Sequence, residues 1–123
     1  MFSMYLIAGI VGVMLFFSVA VAPTIFKVLP QEFASIYVRK FFPKYYFVLG
    51  LTSVIASLFA ENTPVRLITL VCVILFAISL WLLTPAVNKA KDTNNIKQFN
   101  LLHGLSVAVN MIILLLLIYC FWL

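Results

Sequence analysis

The sequence predicts an all-α integral membrane protein, an up-down bundle of four transmembrane helices. Hydrophobic residues make up 66% of the 123 residues and charged residues only 9%, whereas globular domains carry about 25% charged residues. The apolar residues also fall into four runs, each close to the ~20 residues that a helix needs to cross a bilayer. We therefore expect residues 1–123 to form a single transmembrane domain, with no role in binding nucleic acid.

Span one covers about residues 4–26, and we expect it to be retained. Residues 20–22, Ala-Val-Ala, mimic a signal-peptide cleavage site, but no Lys or Arg precedes the run and Pro23 would follow the cut. The four-residue spacing of Ala8 and Gly12 suits close helix packing in lipid. Pro23 should kink the end of the span because proline lacks an amide donor.

The connection after span one, residues 28–43, is too short and too polar to span. Phe33, Ile36 and Tyr37 can share one face of a helix, with polar residues opposite. The pattern predicts a short amphipathic helix at the membrane interface between spans one and two. Span two then covers about residues 44–60.

Spans three and four cover about residues 65–84 and 100–123. A tight turn precedes span three, and Pro85 follows its last residue. The link 86–99 is the most polar part of the chain, so we expect it to lie outside the membrane.

Basic residues indicate the orientation. Arg66 alone belongs to the short turn between spans two and three, whereas seven basic residues lie in or beside the two long connections: Lys27, Arg39, Lys40, Lys44, Lys89, Lys91 and Lys97. The positive-inside rule predicts that these connections are cytoplasmic and that both termini lie outside. The same cluster predicts contact with anionic lipid headgroups.

The chain also has an internal similarity. Span one ends Ala-Pro-x-x-x-Lys at residues 22–27, and span three ends Thr-Pro-x-x-x-Lys at residues 84–89. One interpretation is a pair of similar hairpins in parallel orientation. The other is that prolines and lysines commonly close spans at the cytoplasmic face.

A polar stripe marks span four. His103, Ser106 and Asn110 fall within about 60° of one another on a helix, in a run that is otherwise apolar. Polar groups are costly in hydrocarbon without partners, so the stripe should face protein or a wet cavity. The candidate ligand- or partner-binding site at the cytoplasmic end comprises Pro23, Lys27, Pro85, Lys89, His103, Ser106 and Asn110.

Each member of this site has a structural alternative. His103, the only histidine, could ligate haem or a metal or carry protons, or could be a neutral, hydrogen-bonded packing residue. Lys27 and Lys89 could bind an anionic group or simply extend to the interface. For Asn110 we expect an interhelical hydrogen bond to Ser53, Ser57, Ser79 or a backbone group.

Soft metal ligands and thiols are scattered through the chain. Met1, Met4, Met14, Met111, Cys72 and Cys120 with His103 form an inventory suited to copper, but without metal-ligand spacing. The two cysteines could be free thiols or could form a disulfide. No catalytic set of Ser, His and Asp and no phosphate-binding loop is present.

Four segments resemble a known family: F-F-S-V-A-V-A-P-T-I-F-K-V-L-P (16–30), F-F-P-K-Y-Y (41–46), W-L-L-T-P-A-V-N-K (81–89) and F-N-L-L-H-G-L-S-V-A-V-N (99–110). Together they resemble the transmembrane protein 205-like family, whose bacterial members form a domain of unknown function. The resemblance implies a four-helix protein of the bacterial inner membrane without an agreed activity. The architecture is also distantly similar to CopD-type and HemJ-type proteins, which implies haem association through a histidine and a lysine.

Two hypotheses of function follow. The first is a small, non-enzymatic membrane protein whose polar stripe is either the helix-packing core or a site that binds a small ligand, a second copy or another membrane protein. The second is a haem- or metal-associated redox protein centred on His103, with Lys27 or Lys89 nearby. A transporter or channel is disfavoured because no acidic residue lies inside a span.

Overall fold

Four long helices account for nearly all of the computed structural model, which describes residues 2–123. They are α1 (Phe2–Val28), α2 (Gln31–Leu58), α3 (Thr63–Asp92) and α4 (Ile96–Trp122), and each is long and apolar enough to cross a membrane. At 1.5 Å per residue each helix is about 40 Å long or more, which exceeds the ~30 Å hydrocarbon core. Residues 2–123 contain no strand. The predicted all-α bundle of four membrane helices is confirmed.

Short capped turns join the helices. Pro30, in extended conformation, separates α1 from α2. The side chain of Asn62 accepts a hydrogen bond from the Val65 amide at 2.9 Å and so caps the start of α3. The Arg66 guanidinium donates to the carbonyl oxygens of Ser57, in the last turn of α2, and of Ala60, just beyond it. These contacts satisfy backbone groups that a helix end would otherwise leave unpaired.

Two helices widen into a π-helical turn shortly before a proline. The turns are Phe17–Val21 in α1 and Ser79–Leu83 in α3, and Pro23 and Pro85 follow them at the same distance. A proline cannot donate to the carbonyl four residues earlier, and its ring crowds that carbonyl. A wider turn relieves the crowding. The two turns lie 62 residues apart, as Pro23 and Pro85 do, so the internal similarity extends to the backbone.

The first connection differs from the prediction. Residues 31–43 do not form a separate interfacial helix but the first half of α2, which continues through Pro43 without a break. The physical reason is a contact inside the chain: Arg39 pairs with Asp92 near the end of α3, so this half of α2 lies beside α3. Helix α3 likewise continues through the first half of the predicted polar link and ends only at Asp92.

The end of the bundle where α1 and α3 finish and where α2 and α4 begin carries most of the basic residues; we call it the basic end. The hydrophobic core lies away from it and draws on all four helices, through Ile7, Ile10, Met14, Tyr46, Leu49, Cys72, Phe76, Ile113 and Leu117. Helix α4 is the least covered. In the most apolar 18-residue segment of α4, 17% is buried, against 28% to 33% in the other three helices. Most of α4 therefore faces outward.

Candidate functional site

An interhelical hydrogen bond holds the polar stripe of α4 to α2. The side-chain amide of Asn110 donates to the Tyr46 hydroxyl at 2.8 Å and to the Ser106 carbonyl at 3.1 Å. We predicted a serine or a backbone group, and the interhelical partner is instead a tyrosine. The hydroxyls of Ser53 and Ser57 donate to carbonyl oxygens of their own helix, at 2.9 and 2.8 Å.

Two buried polar atoms near the middle of the bundle have no hydrogen-bond partner within residues 2–123. They are the Ser79 hydroxyl and the Asn110 side-chain oxygen. Ser79 is fully buried at the start of the second π-helical turn, where its backbone carbonyl accepts the Thr84 hydroxyl at 2.7 Å. A bundle selected for packing alone would avoid such desolvated groups, because each one costs free energy.

Tyr46 belongs to a cluster of aromatic rings between α1 and α2. The Phe17 ring centroid lies 4.9 Å from that of Phe41 and 5.0 Å from that of Tyr45, and the Tyr46 ring lies 5.7 Å from that of Phe42. Each such pair of packed rings stabilises the fold by about 0.5–1.5 kcal/mol beyond the contribution of the buried area. We did not predict this cluster, although the run F-F-P-K-Y-Y indicates it in the sequence.

Polar side chains of α2 and α3 are in contact at the basic end. The Arg39 guanidinium binds both carboxylate oxygens of Asp92, at 2.7 and 3.3 Å. Beside this pair the Lys91 ammonium donates to the Ser35 hydroxyl and lies 5.8 Å from the centroid of the Phe99 ring. From the sequence we expected these basic residues to set the orientation and to contact anionic lipid headgroups, because the separation of residues 39 and 92 along the chain hides their pairing.

His103 lies on the exposed surface of α4. Its ring stacks on Phe99 with centroids 5.7 Å apart and planes 10° apart. The start of α4 packs mainly against the end of α3, so this turn of α4 has little protein on its other sides. The imidazole therefore faces out of the bundle, in contrast to Asn110 further along the stripe.

The seven residues of the predicted site differ in burial. Ser106 and Asn110 are half-buried and share a hydrogen bond. The other five predicted residues are exposed and lie on three helices: Pro23 and Lys27 on α1, Pro85 and Lys89 on α3, and His103 on α4.

Metal ligands do not cluster in the described chain. Within residues 2–123, no group of three His, Cys, Asp or Glu side chains could hold a metal ion. Cys72 and Cys120 are free thiols in the hydrophobic core, and Met1 lies outside the described residues. Haem or copper at His103 remains a prediction.

Residues 5–96 match a family described as a domain of unknown function, DUF4149. The chain belongs to this family. It is also 35% identical over 117 residues to an uncharacterized protein of Aquifex aeolicus (strain VF5), a match that covers 93% of this chain and 87% of that protein. No solved structure matches the chain. The family match covers both π-helical turns and the Arg39–Asp92 pair but ends at the first residue of α4, before the polar stripe.

Proposed function

We propose that this protein is a non-catalytic protein of the bacterial inner membrane that binds another transmembrane helix through the outer surface of α4. The observation that carries the proposal is the low coverage of α4, combined with the residues it leaves exposed. Gly104, Ala108, Met111 and Leu115 form one exposed line along the helix, which we call the outer strip. His103 and Val107, also exposed, flank it.

The outer strip suits close approach by a second helix. A Cβ atom added at Gly104 would meet nothing within 4 Å, so packing inside this chain does not require a glycine there. Gly104 and Ala108 have the four-residue spacing of small residues at which membrane helices approach closely. His103 beside them can donate or accept a hydrogen bond across such an interface, which would remove the cost of a polar side chain at the edge of the bilayer.

The orientation belongs to the same proposal. Seven of the eight Lys and Arg residues lie at or near the basic end, which supports a cytoplasmic location for that end and an outside location for both termini. The end of the polar stripe at His103 would then face the cytoplasm.

Photo-crosslinking in membranes tests the partner helix. A photoreactive residue is placed at Leu115, which is 65% exposed on the outer strip, or at Ile74 on α3, which is 60% exposed. We expect a discrete protein adduct from position 115 that Gly104→Leu abolishes, and lipid adducts alone from position 74. An adduct of twice the chain mass identifies a second copy as the partner. The same adducts from both positions, or none that responds to Gly104→Leu, would refute the proposal.

The alternative function, a haem- or metal-associated redox protein, depends on His103 as a ligand. It predicts a Soret band or stoichiometric metal in protein purified in mild detergent, and loss of that signal in His103→Ala. Under the proposal made here, the wild type and His103→Ala have the same visible spectrum and metal content.

A further inference from the structure

We propose that a groove between α1 and the first half of α2 binds one anionic phospholipid, with an acyl chain along the groove and the headgroup at Lys40 and Lys44. The groove has a volume of about 530 Å³ and an almost wholly apolar lining, which includes Gly9, Gly12, Phe16, Phe17, Tyr37 and Phe41. It is separate from the outer strip on α4, so the inference does not depend on the proposed partner helix.

The groove is open because α1 has glycines, which lack a side chain, on the face that lines it. A Cβ atom at Gly9 or Gly12 would meet nothing within 4 Å, so neither glycine serves close packing inside the chain. Ala8 and Gly12, whose spacing suits close helix packing in lipid, are both exposed on the outer surface of this chain. In a bilayer, lipid is what fills such a depression.

One wall of the groove is a fixed row of aromatic rings. Phe17, at the start of the first π-helical turn, stacks on Phe41, and Tyr37 stacks on Phe41 with centroids 5.6 Å apart. Because these rings pack against one another, the wall is already formed in the absence of a ligand. A preformed apolar surface limits the entropy lost on binding.

Lys40 and Lys44 lie at the depth of the headgroups. Counted back from the outer end of α2 near Phe59, the ~20 residues that cross the hydrocarbon reach about Lys40. Lys44, one turn deeper, can extend its ammonium to the same level. On the helix, Tyr37, Phe41 and Lys44 lie within about 60° of one another, so Lys44 follows the aromatic wall.

The charges near the groove favour an anionic lipid over other occupants. Arg39 is neutralised by Asp92 and Lys91 donates to Ser35, whereas Lys40 and Lys44 are exposed. Two cations at the interface followed by an apolar slot running into the bilayer match a phosphate followed by an acyl chain.

Native mass spectrometry of the detergent-purified protein tests the proposal, by titration with phosphatidylglycerol and with phosphatidylcholine of the same acyl chains. We expect one lipid per chain and a preference for phosphatidylglycerol of about thirtyfold, which corresponds to two lysines at an anionic headgroup. The double variant Lys40→Ala/Lys44→Ala should lose this preference. Lys44→Ala should weaken phosphatidylglycerol binding about fivefold, and the charge-matched Lys97→Ala should not change it.

Filling the groove tests the acyl-chain part separately. Gly12→Leu should weaken binding of both lipids by roughly tenfold, because its side chain displaces about two methylene groups of the ligand. Gly104→Leu, the same change at an equally open glycine outside the groove, should leave lipid binding intact. If Gly12→Leu does not fold, Gly9→Leu provides the same obstruction. Unchanged binding in the groove variant would refute the groove as the site, and equal affinity of the wild type for both lipids would refute the headgroup assignment.

Discussion

Asn110 shows how a single polar residue can be foreseen in a membrane helix while its partner is not. An amide among leucines must find a hydrogen bond inside the bundle, and it does. Ser53 and Ser57, two of the serines we expected as partners, bond to their own backbone instead, because a hydroxyl on a helix reaches the carbonyl three or four residues earlier without any tertiary contact. The Tyr46 hydroxyl, at the end of a long rigid ring, is the group that spans the gap between α2 and α4 at 2.8 Å.

The Asn110–Tyr46 hydrogen bond should contribute measurably to stability. We expect Tyr46→Phe and Asn110→Ala each to lower the free energy of unfolding, with a coupling energy of about 0.6–1.7 kcal/mol in a double-mutant cycle. Reversible unfolding in mixed micelles of the two single variants and the double variant measures the coupling. Ser57→Ala is the control, since its hydroxyl bonds within its own helix and should show no coupling to Asn110→Ala. Strict additivity for the Tyr46 pair would contradict the geometry.

His103 marks the limit of prediction at the residue scale. The helical spacing correctly groups His103 with Ser106 and Asn110, but spacing cannot tell how far a neighbouring helix extends. At the basic end, α4 packs mainly on the end of α3, so the same stripe is half-buried at Asn110 and exposed at His103. The spacing of polar residues predicts which of them share a face of the helix. The burial of that face depends on how far the neighbouring helices extend.

At the scale of whole helices, composition predicts where the chain is apolar but not where a helix stops. The four apolar runs were recognisable, yet α2 and α3 both extend well beyond them. Their polar extensions stay helical because they lie side by side at the basic end, where Arg39 and Asp92 pair over a separation of 53 residues. Pro43 could be interpreted as a helix boundary, although a proline near the membrane surface costs less than in a core, since water can satisfy the freed carbonyl.

The Arg39–Asp92 pair should control the order of the first half of α2 more than overall stability. Both side chains are partly exposed, so the pair contributes at most about 1 kcal/mol. Loss of the pair should nevertheless release residues 31–42 from α3. We expect faster hydrogen–deuterium exchange across this segment in Arg39→Gln than in the wild type, and no change beyond it.

Lys40→Gln provides the matched control for that measurement, because it removes an adjacent positive charge that is exposed and lies outside the Asp92 pair. Exchange in residues 31–42 should stay at the wild-type rate in this variant. Equal acceleration in both variants would show that net charge, and not the ion pair, orders the start of α2.

At the scale of the whole molecule, the fold followed from length and composition, whereas the identity of the outward surfaces did not. In a soluble protein an exposed apolar face is conspicuous, but in lipid the outward and inward faces of a helix are equally apolar. The sequence therefore could not show that Gly12 lines an open groove or that Gly104 faces outward. The repeated π-helical turns are another whole-molecule feature: only the prolines that follow them were visible in the sequence, at residues 23 and 85.

The orientation of the bundle gives the last prediction, because both proposed sites depend on it. Cys72 and Cys120 are fully buried, so they should react little with maleimides and allow new cysteines to be probed above a low background. Thr63→Cys is placed at the start of α3, opposite the basic end, and Ile96→Cys is placed at the basic end; both positions are exposed. If seven of eight basic residues hold the basic end in the cytoplasm, a membrane-impermeant maleimide should label Thr63→Cys in cells whose inner membrane is intact. Ile96→Cys should be labelled only after that membrane is permeabilised. The reverse pattern would place the polar stripe and the two lysines of the groove on the outer side, where the reason for expecting a cytoplasmic anionic lipid no longer holds.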